Sequence, residues 1–384
     1  MKTKLLILIS LFFIVLSAEN IPAKRGVLWN FKTGGKIYST PLVAGENVYF
    51  GSLDGKFYSV DKLTGKKNWE FDTGNPIYSN AIFSDGFLIF ESGYELYFLS
   101  EKGEVERKIQ LSKYPILNQI DAWDFFHSSP VVSDGKVFIG SPFGGVLGFD
   151  IKTGEQILKV QTKQGGIVRT TPIVKNDKIY FGDWDGIFYS YEISSGKELW
   201  KYDTRKDTTF IWTNAVQEKP ILVNDKIYFA GRSCAIYCLN ANTGEKIWNY
   251  FSKNSGWLVG GPVYSDGFVY LGSSNEFILQ KFEAEKGNLI WEKKLDHRIW
   301  GNVLIDNDDL IIGAGSLYQI EKENGEVKNV LIDKKNLKIE PTKTIWRQYD
   351  GKAVLASFHS SPVKSEDVVY IGCDDGNLYA VKLK

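Results

Sequence analysis

One segment of about forty residues is written eight times along this chain, and a repeat of that length limits the fold before any other feature is weighed. The clearest copy is YSTPLVAGENVYFGSLDGKFYSVDKLTGKKNWEF, from Tyr38 to Phe71. The same frame returns from His127, Arg169 and Gln217, with weaker copies from Tyr78, Val259, Ile299 and His359. The repeat is anchored at Pro41, Ala81, Pro130, Pro172, Pro220, Pro262, Asn302 and Pro362, in steps of 40, 49, 42, 48, 42, 40 and 60 residues. A unit this short cannot bury its own apolar face, so consecutive units must pack on one another.

Within the first unit four β-rich runs are expected, at Tyr38–Val43, Asn47–Gly51, Lys56–Val60 and Asn68–Phe71. Turn signals separate them: Gly45-Glu46, Asp54-Gly55 and Thr64-Gly65. The chain carries 24 Phe, 20 Tyr and 11 Trp beside 37 Gly, which suits strands joined by tight turns. No window holds a helical period. Four short antiparallel strands per unit are the signature of a propeller blade. The expected fold is therefore all-β, an eight-bladed β-propeller of four-stranded antiparallel blades.

The last unit reaches Lys384 before it can supply a fourth strand, while Leu28-Trp29-Asn30-Phe31 is a fourth strand without a unit. The N-terminal strand is expected to complete the last blade and remove an exposed edge. A Trp follows the third-turn Gly by four residues at Gly65/Trp69, Gly196/Trp200, Gly244/Trp248 and Gly287/Trp291. These four are expected to be buried and, with Trp29, to dock each blade on its neighbour.

Ahead of the repeats, Lys2 and Lys4 precede the apolar run Leu5 to Leu16, followed by Ser17 and Ala18. A charged start, a short apolar core and small residues form a secretory leader, too short to span a bilayer. Residues 1–18 are expected to be a signal peptide cleaved near Ala18, and 19–384 a single propeller domain, periplasmic or secreted. No Cys stands near that cut to carry lipid. Lys+Arg and Asp+Glu both number 46, which gives no basic excess for nucleic acid. Three Cys and three His exclude a disulfide scaffold and a His-rich metal centre.

The two faces of the ring read differently. First-to-second turns such as Ser84-Asp85-Gly86 and Ser133-Asp134-Gly135 are short and alike, as are the Thr-Gly turns. On the other face three inter-blade connections are long, and each holds a Trp: Trp123, Trp212 and Trp346. Trp184 adds a fourth, in a second-to-third turn. His127 and His359 share one repeat position, three before the anchor, where Arg169 and Gln217 stand in two other units. Irregular loops on a rigid scaffold are where binding concentrates. Trp123, Trp184, Trp212, Trp346, Arg169, His127 and His359 are therefore the candidate partner-binding set around one channel mouth. Cys234 and Cys373 are expected to be incidental thiols in second-to-third turns.

The run Thr-Gly-x-x-x-Trp, as in DKLTGKKNWEFDTG, ISSGKELWKYDT and ANTGEKIWNY, followed by a Ser/Thr-Pro strand, resembles the pyrroloquinoline-quinone (PQQ) repeat. The resemblance covers nearly all of the chain after the leader. It implies a quinoprotein-like propeller, and its size and leader look more like the outer-membrane assembly factor (BamB) branch than the quinoprotein dehydrogenases. Those enzymes typically carry an adjacent Cys-Cys pair beside the cofactor, and no two cysteines are adjacent here. The expected function is thus a non-enzymatic, protein-binding envelope scaffold without PQQ or calcium. A glycan- or small-ligand-binding propeller and a PQQ-dependent dehydrogenase are the alternatives.

Overall fold

A computed structural model describes residues 26–112, 124, 127–162, 166–207, 213–253, 256–337 and 356–383. The expected leader and Trp123, Trp212 and Trp346 lie outside the described residues. Eight four-stranded antiparallel sheets form the molecule. Blade one is Leu42–Ala44, Asn47–Gly51, Lys56–Asp61 and Lys67–Asp72. Blades two to seven open on Ile82–Ser84, Val131–Ser133, Ile173–Lys175, Ile221–Val223, Val263–Ser265 and Leu304–Asp306. Among the described residues the helix is confined to two 3₁₀ turns, Thr204–Lys206 and Lys334–Asn336.

Blade eight joins the two ends of the chain. Val363–Ser365, Val368–Gly372 and Asn377–Lys382 are completed by Gly26–Lys32, which lies antiparallel to the last strand with Trp29 opposite Ala380 and Phe31 opposite Leu378.

The second and third strands of every blade alternate Val, Ile, Leu, Phe and Tyr and are almost wholly buried. Their side chains interlock from blade to blade: Phe57 stacks on Phe90 at 4.1 Å, and Phe188 on Phe229 at 4.3 Å. The core is thus a set of inter-blade layers. Each fourth strand carries a β-bulge against the third. Leu28, Asn68, Glu106, Ile157, Leu199, Ile247, Ile290 and Lys328 are the extra residues before the docking position. A bulge re-aims the side chain that follows.

That following side chain docks on the next blade. The indole N–H groups of Trp29, Trp69, Trp200, Trp248 and Trp291 donate to the carbonyls of Lys62, Glu101, Ala241, Ala284 and Lys322, at 2.9 to 3.4 Å. Each ring covers a turn glycine of the neighbour: Gly65, Gly103, Gly244, Gly287 or Gly325. These glycines have φ between 69° and 83°, and a Cβ there would fall 2.5 to 2.9 Å from the indole. Only glycine meets both demands. Contrary to expectation, Trp248 alone of the four is buried, and Trp69, Trp200 and Trp291 are half-buried, as is Trp29. The outer strand is the rim of the ring, so one edge of each indole meets solvent.

The innermost strands are shorter than expected. Blade one's begins at Leu42, not Tyr38. Near the axis, adjacent blades converge, and backbone groups before the anchor pair with side chains of the next blade. The N–H of Thr40 donates to Asn80 Oδ1 (2.6 Å), Asn80 to Ser129 Oγ (2.9 Å) and Ser129 to Thr171 Oγ1 (3.0 Å). Gly261 donates to Asn302 Oδ1 (2.7 Å), and Asn302 to Ser361 Oγ (2.9 Å). Asn302 therefore occupies the position before the anchor. Blade seven is anchored at Val303, one residue later than the spacing suggested.

Candidate functional site at the channel mouth

Two sets of turns define the two faces. The third-to-fourth turn bonds back to the first-to-second turn, as in Lys62 N–H to Glu46 O, Ile151 to Gly135 and Ala284 to Gly267. The second-to-third turn bonds to the inter-blade connection instead. Leu53 N–H donates to Lys36 O, Trp184 to Ile167, Arg232 to Ala215, Ser274 to Trp257 and Asp374 to Ser357. Trp184 and the described ends of the inter-blade connections therefore belong to the same face.

Each connection runs inward in an apolar–polar alternation. Ile37, Ile77, Val168, Val216, Ile299 and Phe358 lie against glycines that end the second strand of the preceding blade. In extended backbone the next side chain points the opposite way. One residue per blade is thereby placed at the channel: Tyr38, Tyr78, His127, Arg169, Gln217, Val259, Trp300 and His359.

Five of these form a continuous arc. Trp300 stacks on His359 at 4.9 Å, His359 on Tyr38 at 4.4 Å, Tyr38 meets Tyr78 at 6.2 Å, and Tyr78 stacks on His127 at 4.7 Å. Both His are buried and held from behind by a buried carboxylate. His127 Nδ1 is 3.0 Å from Glu91 Oε2, and His359 Nδ1 is 2.7 Å from Asp374 Oδ1. Burial alone would raise Asp374, but His359, Lys36 and Ser357 bring its carboxyl below the usual range. Arg169 continues the ring with its guanidinium on Asp124 Oδ2, at 2.7 and 3.2 Å.

The arc ends in a cation sandwich that the spacing of the repeats does not disclose. Arg232, with 1% exposure, places its guanidinium 4.6 Å from the Trp184 ring and 4.8 Å from the Trp257 ring, while its Nε donates to Gln217 Oε1 at 2.6 Å. Such a cation–π pair is worth ~2 kcal/mol when desolvated. Trp184 is thus packed by Arg232 and remains half-buried. Trp300 was hidden by the one-residue shift in blade seven. Its signal is the run Ile-Trp-Gly-Asn-Val, which repeats Ile-Tyr-Ser-Thr-Pro of blade one.

Within the collar lies a cavity of about 210 Å³, lined by Tyr38, Tyr78, His127, Arg169, Gln217, Glu218 and His359, with the belt of Thr40, Asn80 and Ser361 below. Across it, Glu218 Oε2 accepts only the Lys219 N–H, at 3.3 Å, among the described residues. Enclosure by protein pushes this carboxyl up to about 7. A quinone cofactor held with calcium needs converging oxygen ligands. Among the described residues no three His, Cys, Asp or Glu side chains group closely enough to hold a metal ion. Cys234, Cys238 and Cys373 are buried free thiols, and burial raises the pKa of each.

The fold and its collar define a quinoprotein-like eight-bladed propeller. The chain belongs to the family described as outer membrane protein assembly factor BamB, whose model matches residues 22–202, 118–330 and 232–384. A curated relative, the outer membrane protein assembly factor BamB of Burkholderia pseudomallei, is 28% identical over 125 residues, or 32% of this chain and 30% of that protein. The chain therefore matches less than a third of that relative's length. Among solved structures, BamB from Moraxella catarrhalis superposes with a TM-score of 0.67 over 94% of this chain and all of that one, at 13% identity. A europium-containing methanol dehydrogenase superposes at 0.70 over 93% of each chain, also at 13% identity. At such identities both similarities speak for the fold alone.

Proposed function

We propose that this protein is a non-enzymatic scaffold of the cell envelope, exported by its leader, that binds protein partners on the mouth face in outer-membrane protein assembly. The observation that carries this reading is the asymmetry of the ring. One face is closed by short polar turns bonded to one another. The other carries the described ends of the inter-blade connections around a collar of stacked and ion-paired side chains. Rigid aromatic positions flanked by adaptable loops are the composition of a protein-binding surface. Family membership supports the same reading, and the absence of converging metal ligands among the described residues gives no support to a quinoprotein dehydrogenase.

Affinity purification from crosslinked cells tests the reading. It predicts recovery of envelope proteins engaged in outer-membrane assembly. A second assay addresses the enzymatic alternative: incubation with PQQ and Ca²⁺, an absorbance scan and dye-linked oxidation of alcohols. Cofactor uptake with turnover would overturn the non-enzymatic part of the proposal.

A further inference from the structure

The channel cavity contains a carboxylate with no counter-ion among the described residues. Glu218 follows Gln217 at the collar and lines the same cavity as Tyr38, Tyr78, His127, Arg169 and His359. It makes no ion pair among the described residues, and its single hydrogen bond comes from the neighbouring backbone N–H of Lys219. The other carboxylates of this region are all matched. Glu91 holds His127, Asp124 holds Arg169, and Asp374 holds His359 and lies 3.8 Å from Lys36. Glu218 is half-buried, and a carboxylate partly withdrawn from water without a partner is costly, a cost that a bound cation relieves.

We propose that the axial cavity at the channel mouth is a binding site for an alkylammonium group, with the Glu218 carboxylate as its counter-ion. An ammonium on a short aliphatic stem fits this chemistry better than a metal ion, since no second or third carboxylate converges there. It also fits better than an anion, because Arg169 already spends its charge on Asp124. Two cations stand nearest on the wall: Arg169, and Lys219, which is exposed and shared with the funnel on the far side of the belt. His127 and His359 complete the titratable lining. The proposal rests on residues of the collar, so its failure would leave the scaffold reading untouched. The source of the ammonium can be a free amine or a lysine side chain reaching in from a bound protein.

The test is calorimetric titration of the purified protein with n-butylammonium chloride, with a short lysine-containing peptide in a second arm. Saturable binding of butylammonium is expected. It should weaken about tenfold between pH 8 and pH 6, as the carboxylate that titrates near 7 takes up its proton. Glu218→Gln should weaken it by about tenfold or more at pH 8 and erase the pH dependence, with an unchanged melting profile showing that the variant is folded. Saturation by the peptide alone would assign the site to a protein-borne lysine. No saturable binding in either arm, or equal binding by the native protein and Glu218→Gln, would overturn the proposal.

Discussion

At the scale of single residues, the docking position shows how little of the contact depends on tryptophan itself. Between blades two and three the position is filled by Arg107, which donates to Ile151 O at 2.5 Å and Lys152 O at 2.6 Å and lies over Gly154. A guanidinium offers the same flat face and N–H donors as an indole. Leu158 stands there between blades three and four, and Asn329 in blade seven, whose neighbour has no third-to-fourth turn to receive a ring. Trp248→Ala is expected to cost ~3–5 kcal/mol, the range for a buried aromatic, and Trp69→Ala, Trp200→Ala and Trp291→Ala to cost less, in proportion to their exposure. Denaturant unfolding of the four variants checks the order. A second residue-scale prediction concerns pH. Asp183 is enclosed and accepts from Ile187 N–H at 2.9 Å and Tyr189 O–H at 3.0 Å, and burial lifts its carboxyl to about 6. Its folded pKa exceeds the unfolded one. Its contribution is therefore complete below about 4 and lost as pH rises through about 6. Asp183→Asn should flatten the melting profile across that window, and an unchanged profile would remove Asp183 as the cause.

At the scale of elements, the seam is built like every other blade. Gly26–Lys32 repeats the bulge before its Trp, and Trp29 then covers Gly65 as Trp69 covers Gly103. Deleting residues 19–33 should leave the edge of Asn377–Lys382 unpaired and lower stability by more than the ~1 kcal/mol of an ordinary substitution. A truncated protein that melts within a degree or two of its parent would contradict this. The closing strand was legible because Leu28–Phe31 matches a fourth strand in spacing and composition. The second strand of blade one was also legible, with the expected limits Asn47–Gly51. The innermost strand was not. Tyr38–Pro41 has the composition of a strand, yet the Thr40 N–H pairs with the side chain of Asn80, forty residues away. No local pattern encodes such a partner. The same belt reveals the blade-seven offset, because Asn302 is an acceptor position that spacing had placed at the anchor. Asn302→Ala should leave the Gly261 N–H without its acceptor and cost ~1–3 kcal/mol, measurable by chemical denaturation.

At the scale of the whole molecule, the ring separates structure from recognition. The Asp-Gly turns of one face use positive-φ pairs, such as Asp85 at 52° and Gly86 at 82°, to join strands tightly. They offer little besides polar backbone. The mouth face sets a packed collar at the centre, with Trp184 beside it. The sequence pointed to this face through its irregular loops and through His127, Arg169 and His359. It did not disclose Arg232, Trp257 or Trp300, whose roles arise from stacking between blades. The most direct test of a binding mouth face is a pull-down with a Trp123/Trp212/Trp346→Ala triple variant, beside a variant with reversed charge at the Asp85, Asp134 and Asp266 turns. The account predicts that the triple variant melts like the parent but loses the partner, while the charge-reversed protein retains it. Retention by the triple variant together with loss by the charge-reversed protein would place recognition on the opposite face.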